Sequence, residues 1–88
     1  MKAVMVLKDQ TDKTRRAEEY MTDFNRVTRR DIEVLDPETR DGEAFARLYD
    51  ITSYPTLVVI ANDGQLQAMW RGLEELPLFD EVEGYLNA

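Results

Sequence analysis

Two β-like segments joined by a tight turn constrain the fold of this chain more than any other feature. Residues 56–61 form a predominantly apolar run, and residues 65–71 follow the turn Asn62-Asp63-Gly64. An Asp-Gly pair accepts the positive φ that a short hairpin turn requires. We therefore predict an antiparallel hairpin. Its first strand begins directly after Pro55, where proline is tolerated because no ladder hydrogen bond is lost.

The first third of the chain predicts a strand, a helix and a second strand. Residues 3–7 are continuously apolar, which is typical of a central strand buried on both faces. Apolar side chains then recur at spacings of three and four, predicting a helix over about 13–29 with Thr11 or Asp12 as its cap. Residues 31–36 form a second short strand, so the unit predicts a parallel, right-handed crossover. The apolar stripe of the helix consists of Ala17, Tyr20, Met21, Phe24 and Val27.

Two further helices are predicted on either side of the hairpin. The first follows a loop marked by Pro37 and Gly42 and ends near Asp50, with Ala44, Phe45, Leu48 and Tyr49 on its apolar face. The second has Pro77 in its first turn, a position that proline favours. Its apolar face consists of Leu78, Phe79, Val82, Tyr85 and Leu86.

Composition excludes several kinds of chemistry. The 88 residues include no cysteine and no histidine, so thiolates, disulfides, soft metal sites and imidazole catalysis are absent. The net charge of −7 argues against nucleic acid as a partner. Residues 1–30 nevertheless carry eight basic and five acidic side chains, whereas residues 31–88 carry three basic and thirteen acidic ones. We expect one domain over residues 1–88.

Other catalytic or targeting signals are weak. Ser53 is the only serine and has no histidine to activate it. Asp36, Glu38 and Asp41 lack the spacing of a calcium loop, so we expect no metal and no cofactor. No stretch approaches the roughly 18 apolar residues of a membrane span, and the first apolar run is too short for a signal-peptide core. We expect a cytoplasmic protein that is not an enzyme and does not bind a membrane.

The segment order β-α-β-α-β-β-α, together with three local motifs, resembles the thioredoxin-like superfamily. Residues 36–51 resemble the family's aspartate-ended strand, acidic loop and short helix, and residues 52–56 stand where the family has its cis-proline motif. The turn at residues 62–64 corresponds to the family's hairpin. The resemblance implies an α/β fold with a four-stranded mixed sheet in the order 2-1-3-4, the third strand antiparallel, helices on both faces, and a cis Pro55 at the start of strand 3.

The same resemblance places Thr11-Asp12-Lys13-Thr14 where redox members carry Cys-x-x-Cys. A hydroxyl cannot replace the thiolate that attacks a disulfide, so disulfide chemistry is excluded. In the family, the backbone of the residue before the cis-proline pairs with an extended segment of the partner, which is a form of strand addition. The resemblance therefore implies a groove formed by the helix start, with Arg15, and by Ser53, Tyr54, Pro55 and Thr56.

We predict that this groove binds a protein or an extended peptide without reacting with it. Trp70 either covers a sheet face or is an exposed part of the site, and Tyr54 is either a wall of the groove or an exposed binding residue. Two alternatives stay open. The groove could bind glutathione or another small anion through Lys8, Lys13 and Arg15. The chain could also form an oligomer through an exposed sheet edge, either the second strand (residues 32–35) or the fourth (residues 66–71), so a monomer or a weak homodimer is expected.

Overall fold

A computed structural model describes residues 1–88 and contains four strands and three α-helices. In chain order the elements are β1 (Lys2–Val6), α1 (Thr14–Thr28), β2 (Glu33–Leu35), α2 (Arg40–Leu48), β3 (Thr56–Ile60), β4 (Leu66–Arg71) and α3 (Phe79–Leu86), with a short 3-10 turn at Leu73–Glu75 between β4 and α3.

The strands form one mixed sheet in the order β2-β1-β3-β4. β2 runs parallel to β1, with Val4 opposite Glu33, whereas β3 runs antiparallel to β1, with Val6 opposite Thr56. β4 pairs antiparallel with β3. This arrangement confirms the predicted strand order and directions. None of the helices combines the length and the apolar character that a membrane crossing requires.

The sheet separates two apolar clusters, one beneath α1 and α3 and the other beneath α2. On the first side, Phe24 and Val82 are fully buried against alternate residues of the central strands. On the second side, Ala46 and Ile51 pack against the intervening residues of the same strands. Because both faces of β1 and β3 are covered, their side chains are buried throughout residues 3–6 and 56–60, as the continuous apolar runs indicated.

Five residues that helical spacing assigned to buried faces are exposed instead: Val27, Ala44, Leu48, Leu78 and Tyr85. Val27, Leu48 and Leu78 have 59%, 73% and 75% of their surface accessible. Each lies at the end of a helix: Val27 next to the last residue of α1, Leu48 at the end of α2, and Leu78 just before α3. In α2 the buried residues are Gly42 and Ala46, so the predicted face is also rotated, and Gly42 lies in the helix and not in the loop before it.

Two helix starts also differ from the prediction. Lys13 is the residue before α1 and makes no capping hydrogen bond with its side chain, so neither Thr11 nor Asp12 is the N-cap. Pro77 is buried but precedes Leu78, which immediately precedes α3, so it lies outside the first helical turn. β2 is shorter than the predicted 31–36, because only three of its residues pair with β1.

The hairpin turn has the predicted chemistry. Gly64 has a φ of 89°, a conformation that glycine adopts without strain. Its N–H donates to the Ala61 carbonyl at 2.9 Å, and the Asp63 carboxylate accepts the N–H of Gln65 at 3.1 Å. The Tyr49 hydroxyl donates to the Gly64 carbonyl and so attaches the turn to the end of α2.

Candidate functional site

The loop between β1 and α1 is organised around the hydroxyl of Thr14. This hydroxyl donates to the Lys8 carbonyl at 2.8 Å and accepts the Thr11 N–H at 2.9 Å. The two threonine hydroxyl oxygens are 3.0 Å apart, which is hydrogen-bonding distance. Thr14 is only 8% exposed, whereas Thr11 is exposed. The threonines therefore form a contacting pair of which one member holds the loop and the other faces solvent.

Several main-chain N–H groups at the start of α1 have no hydrogen-bond partner within the chain. The Thr11 hydroxyl accepts the Lys13 N–H at 3.3 Å. The main-chain N–H groups of Asp12, Arg15 and Arg16 donate to no group of the chain. Free N–H groups at a helix start carry partial positive charge and point toward solvent.

Side chains around this loop are mostly basic, but half of the cations already have partners. Lys8 lies 3.4 Å from a carboxylate oxygen of Glu38, and Arg15 lies 3.3 Å from Glu19. Lys13 and Arg16 form no salt bridge within the chain, and both are exposed. Asp9 and Asp12 are also exposed in this loop, so two carboxylates offset the charges of Lys13 and Arg16.

The second part of the predicted site is the segment from Ser53 to Thr56. Thr56 is fully buried, and its hydroxyl donates to the Ser53 carbonyl at 2.7 Å. The peptide bond between Tyr54 and Pro55 is cis. Pro55 is buried, and its carbonyl accepts the Gly72 N–H at 2.7 Å. These contacts fix the segment to the start of β3 and to the residue that follows β4.

Tyr54 differs from its neighbours because its main chain is unpaired. Neither its N–H nor its carbonyl takes part in a hydrogen bond within the chain. Its side chain is half-buried and packs against the cluster beneath α2. The side chain is therefore part of the wall, and the main-chain groups remain free for a partner.

The strand register places the two parts at the same end of the sheet. Val6 at the end of β1 lies opposite Thr56 at the start of β3, so Leu7 and Pro55 continue the same pairing. The loop that holds Thr11 and Thr14 follows Leu7 directly. The structure thus brings the predicted helix start and the proline segment to the same end of the sheet.

Trp70 lies on the other side of the sheet from Tyr54. It packs against the cluster beneath α1 and α3, and its ring meets that of Tyr85 edge to face at 5.9 Å. This placement agrees with the interpretation of Trp70 as a residue that covers a sheet face. The structure does not bring Trp70 and Tyr54 together on one face.

The predicted site is an open surface, not a cavity. The three depressions of the domain surface all lie along α1 or between α1 and its neighbours, and none includes Thr11, Tyr54 or Pro55.

The titratable group with a clearly shifted pKa, Tyr20, also lies outside the site, in the contact between α1 and α3. Burial, with a smaller contribution from Glu81, raises the pKa of Tyr20 to about 12.

Two contacts at this end of the sheet were not predicted from the sequence. The Gly72 N–H holds the Pro55 carbonyl, and Lys8 pairs with Glu38 from the loop after β2. Both contacts join residues that are distant in sequence. The first follows from the hairpin once the register of β3 and β4 is known, whereas no sequence signal points to the second.

Comparison with known structures identifies the fold. Thioredoxin 1 from the thermophilic eubacterium Thermosipho africanus TCF52B superposes with a TM-score of 0.67 at 14% sequence identity, over 99% of this chain and 91% of that chain. A structure titled as that of a malarial protein superposes with a TM-score of 0.65 at 13% identity, over 97% and 91%. No family model and no curated protein sequence matches the chain.

The chain therefore has the thioredoxin-like fold, as the resemblance implied. Identities this low establish the fold alone. Since the sequence contains no cysteine, the Cys-x-x-Cys motif is absent, and Thr11 and Thr14 lie at the helix start where the resemblance placed it. Thiol–disulfide exchange needs a sulfur nucleophile, so this chain cannot supply that chemistry itself.

Proposed function

We propose that this domain is a redox-inactive, thioredoxin-like binding module that takes up an extended segment of a partner protein. The partner contacts the helix start at Thr11–Arg15 and the segment Ser53–Thr56. The observation that carries the proposal is the free main chain of Tyr54, whose N–H and carbonyl have no partner within the chain. An extended peptide supplies the complementary carbonyl and N–H by strand addition.

The shape of the site supports a peptide over a small molecule. Small-molecule sites are usually concave and enclose most of the ligand, whereas no depression of this surface includes Thr11, Tyr54 or Pro55. A strand-like ligand needs only one free main-chain edge and neighbouring side-chain contacts. Tyr54 offers the edge, and the exposed Thr11 and Lys13 offer the contacts.

The proposed activity is binding without catalysis, because the site contains no cysteine sulfur that could act as a nucleophile. The Thr14 hydroxyl is saturated by Lys8 and Thr11, and it is buried. The hydroxyl pair therefore holds the loop, and its hydrogen bonds go to main-chain groups and to each other, not to a side-chain base that would activate it. Binding without covalent chemistry is the activity that these residues support.

A capture experiment with matched variants tests this proposal. The purified domain, Tyr54→Ala, Arg15→Glu and Arg40→Glu are immobilised, and proteins retained from extract are identified by mass spectrometry. Arg40→Glu is the control, because it makes the same charge reversal at an exposed position of α2. We expect partners that bind the unmodified domain and the control but are weakened by Arg15→Glu and by Tyr54→Ala, which removes the side-chain wall and keeps the main-chain groups. Circular dichroism of each variant establishes that it is folded.

The same partners on all four proteins would refute the site assignment. Partners weakened only by Arg15→Glu would also count against the proposal, because they would indicate charge attraction without contact at the wall that Tyr54 forms. A partner that passes the first test is then reduced to overlapping peptides. The bound peptide should shift the amide resonances of residues 52–56.

A small anion at the helix start is the second candidate. The free N–H groups of Asp12, Arg15 and Arg16 favour it, as do the unpaired side chains of Lys13 and Arg16. Glutathione is the probe, titrated to millimolar concentration while amide resonances are followed. Shifts at residues 8–16 and 52–56 would support this candidate, and their absence would eliminate glutathione.

A further inference from the structure

The outer edge of β4 offers a second, independent main-chain surface. β4 is a terminal strand of the sheet, paired only with β3. The Gly72 N–H donates to the Pro55 carbonyl, so Pro55 and Gly72 form a hydrogen-bonded pair at the end of the β3–β4 ladder. Such pairs alternate along an antiparallel ladder. Trp70 therefore directs its N–H and carbonyl toward β3, while Arg71 and Met69 direct theirs outward.

One of these two outward positions is already covered by a side chain. The Arg71 N–H donates to the Glu75 carboxylate at 3.3 Å, as expected for a group that points away from the sheet. No side chain takes the N–H of Met69. At the other end of β4, a bulge opposite Val59 and Ile60 interrupts the register. The available edge is therefore short and is centred on Met69.

Apolar side chains lie beside this edge on the α1 and α3 face. Tyr85 is 38% exposed, and Trp70 lies half-buried with its ring against that of Tyr85. Alternate side chains of an added strand point to the same face of the sheet. Some of them would therefore contact this aromatic pair.

The charge of this region selects the kind of partner. Residues 62–88 contain six carboxylate side chains and one arginine. Glu75 lies at the β4 edge, where its carboxylate accepts the Arg71 N–H, whereas Glu83 lies 3.6 Å from Arg30 and Glu81 lies near Tyr20. A second copy of the chain would bring another net charge of −7 to an already acidic surface, and like charge opposes association. A lysine-rich or arginine-rich segment is attracted instead.

We propose that the β4 edge binds an extended, basic segment of a partner protein as a fifth strand. Hydrogen bonds to Met69 anchor the segment, and further bonds to Arg71 form when the Glu75 carboxylate moves aside. Its alternate apolar side chains contact Trp70 and Tyr85, and its basic side chains pair with Glu75 and are attracted by the net negative charge of the domain. This surface is separate from the Tyr54 site and does not depend on it.

Peptide titrations test the proposal on the intact domain. The probe is a short synthetic peptide of alternating lysine and valine, followed through the amide resonances of the protein. We expect shifts centred on residues 67–71 and on the Trp70 indole. A peptide of alternating glutamate and valine should not bind. A lysine-valine peptide methylated at alternate main-chain nitrogens loses its donors and should bind at least about tenfold more weakly, as the loss of about one strong hydrogen bond predicts.

Variants of the protein give a second test. Met69→Pro removes the outward N–H and should weaken binding by about tenfold, whereas Met69→Ala keeps it and should bind normally. If Met69→Pro does not fold, the methylated peptide still decides the question. Tyr54→Ala should leave this binding unchanged, which separates the β4 edge from the proposed groove.

Several results would overturn the inference. One is that the amide resonances of β4 do not shift at millimolar peptide. Another is that the methylated peptide binds as tightly as the unmethylated one. A third is that the shifts are confined to residues 8–16 and 52–56. The last result would favour the groove while rejecting the β4 edge. Sedimentation that shows self-association lost in Met69→Pro would identify a second copy as the occupant and would likewise reject a basic partner.

Discussion

Replacing Thr14 with valine removes the hydroxyl that organises the β1–α1 loop while keeping nearly the same shape. The hydroxyl makes two hydrogen bonds to main-chain groups, with Lys8 at 2.8 Å and Thr11 at 2.9 Å. Each such bond contributes about 1 kcal/mol net, and leaving a partner unsatisfied costs more when it is buried. Lys8 and Thr11 are exposed, so water can reach their freed groups. We expect Thr14→Val to lower the free energy of unfolding by about 2 kcal/mol.

Thr11→Val is the matched control for this substitution. Its hydroxyl contacts the Thr14 hydroxyl and accepts a longer bond, 3.3 Å, from the Lys13 N–H. Because Thr11 is exposed, water replaces these contacts readily, and we expect a loss of about 0.5 kcal/mol. For a domain of this size, about 2 kcal/mol corresponds to a fall in Tm of roughly 8–16 °C, against roughly 2–4 °C for the control.

Urea unfolding followed by the fluorescence of the single tryptophan, Trp70, measures both values. The reasoning fails if Thr14→Val is within about 0.5 kcal/mol of the unmodified domain. It also fails if Thr11→Val costs as much as Thr14→Val, because the two hydroxyls would then be equivalent. A change in the denaturant slope would indicate an altered unfolded state and not a lost contact.

Three further substitutions test other parts of the structure. Gly42→Ala should cost about 3 kcal/mol in urea unfolding, because the added Cβ would overlap the main-chain carbonyl of Asp36; a cost below about 1 kcal/mol would contradict this close approach. Tyr20→Phe should cost about 1 kcal/mol near neutral pH, since the hydroxyl donates to the Pro77 carbonyl at 2.8 Å. The raised pKa of Tyr20, about 12 against an ordinary 10.0, favours the neutral form in the folded state, so stability should fall between these pH values, and less steeply in Tyr20→Phe. Leu48→Gln should change stability by less than about 0.5 kcal/mol, because this side chain is 73% exposed; a larger loss in thermal unfolding would show that Leu48 packs.

Most of the fold was predictable because its signals are local. Continuous apolar runs identified β1 and β3, and the Asp63-Gly64 turn fixed the hairpin. The exposed Val27 and Leu78 were mispredicted because periodicity shows which side of a helix faces inward but not how far the sheet extends beneath it. Such limits depend on strand length and register, which are properties of the assembled fold.

The site was predictable in its parts but not in its hydrogen bonding. The threonines and the proline segment were located from the resemblance, and the register of β1 and β3 brings them to one edge. What the sequence could not show is which main-chain groups remain unpaired. The free groups of Tyr54 and the outward direction of Met69 follow only from the complete set of hydrogen bonds and from the ladder that begins at Pro55 and Gly72.

The threonine pair explains how the fold can keep this loop without sulfur. Thr14 is buried at the start of α1, where a small side chain that bonds to main-chain groups on both sides of the turn is required. A hydroxyl meets this requirement better than a thiol, because sulfur is a weak donor and a weak acceptor. Thr11 faces solvent and carries little of this structural role. The contribution of the pair to stability should therefore depend mainly on Thr14, whereas Thr11 is the member that a partner can reach.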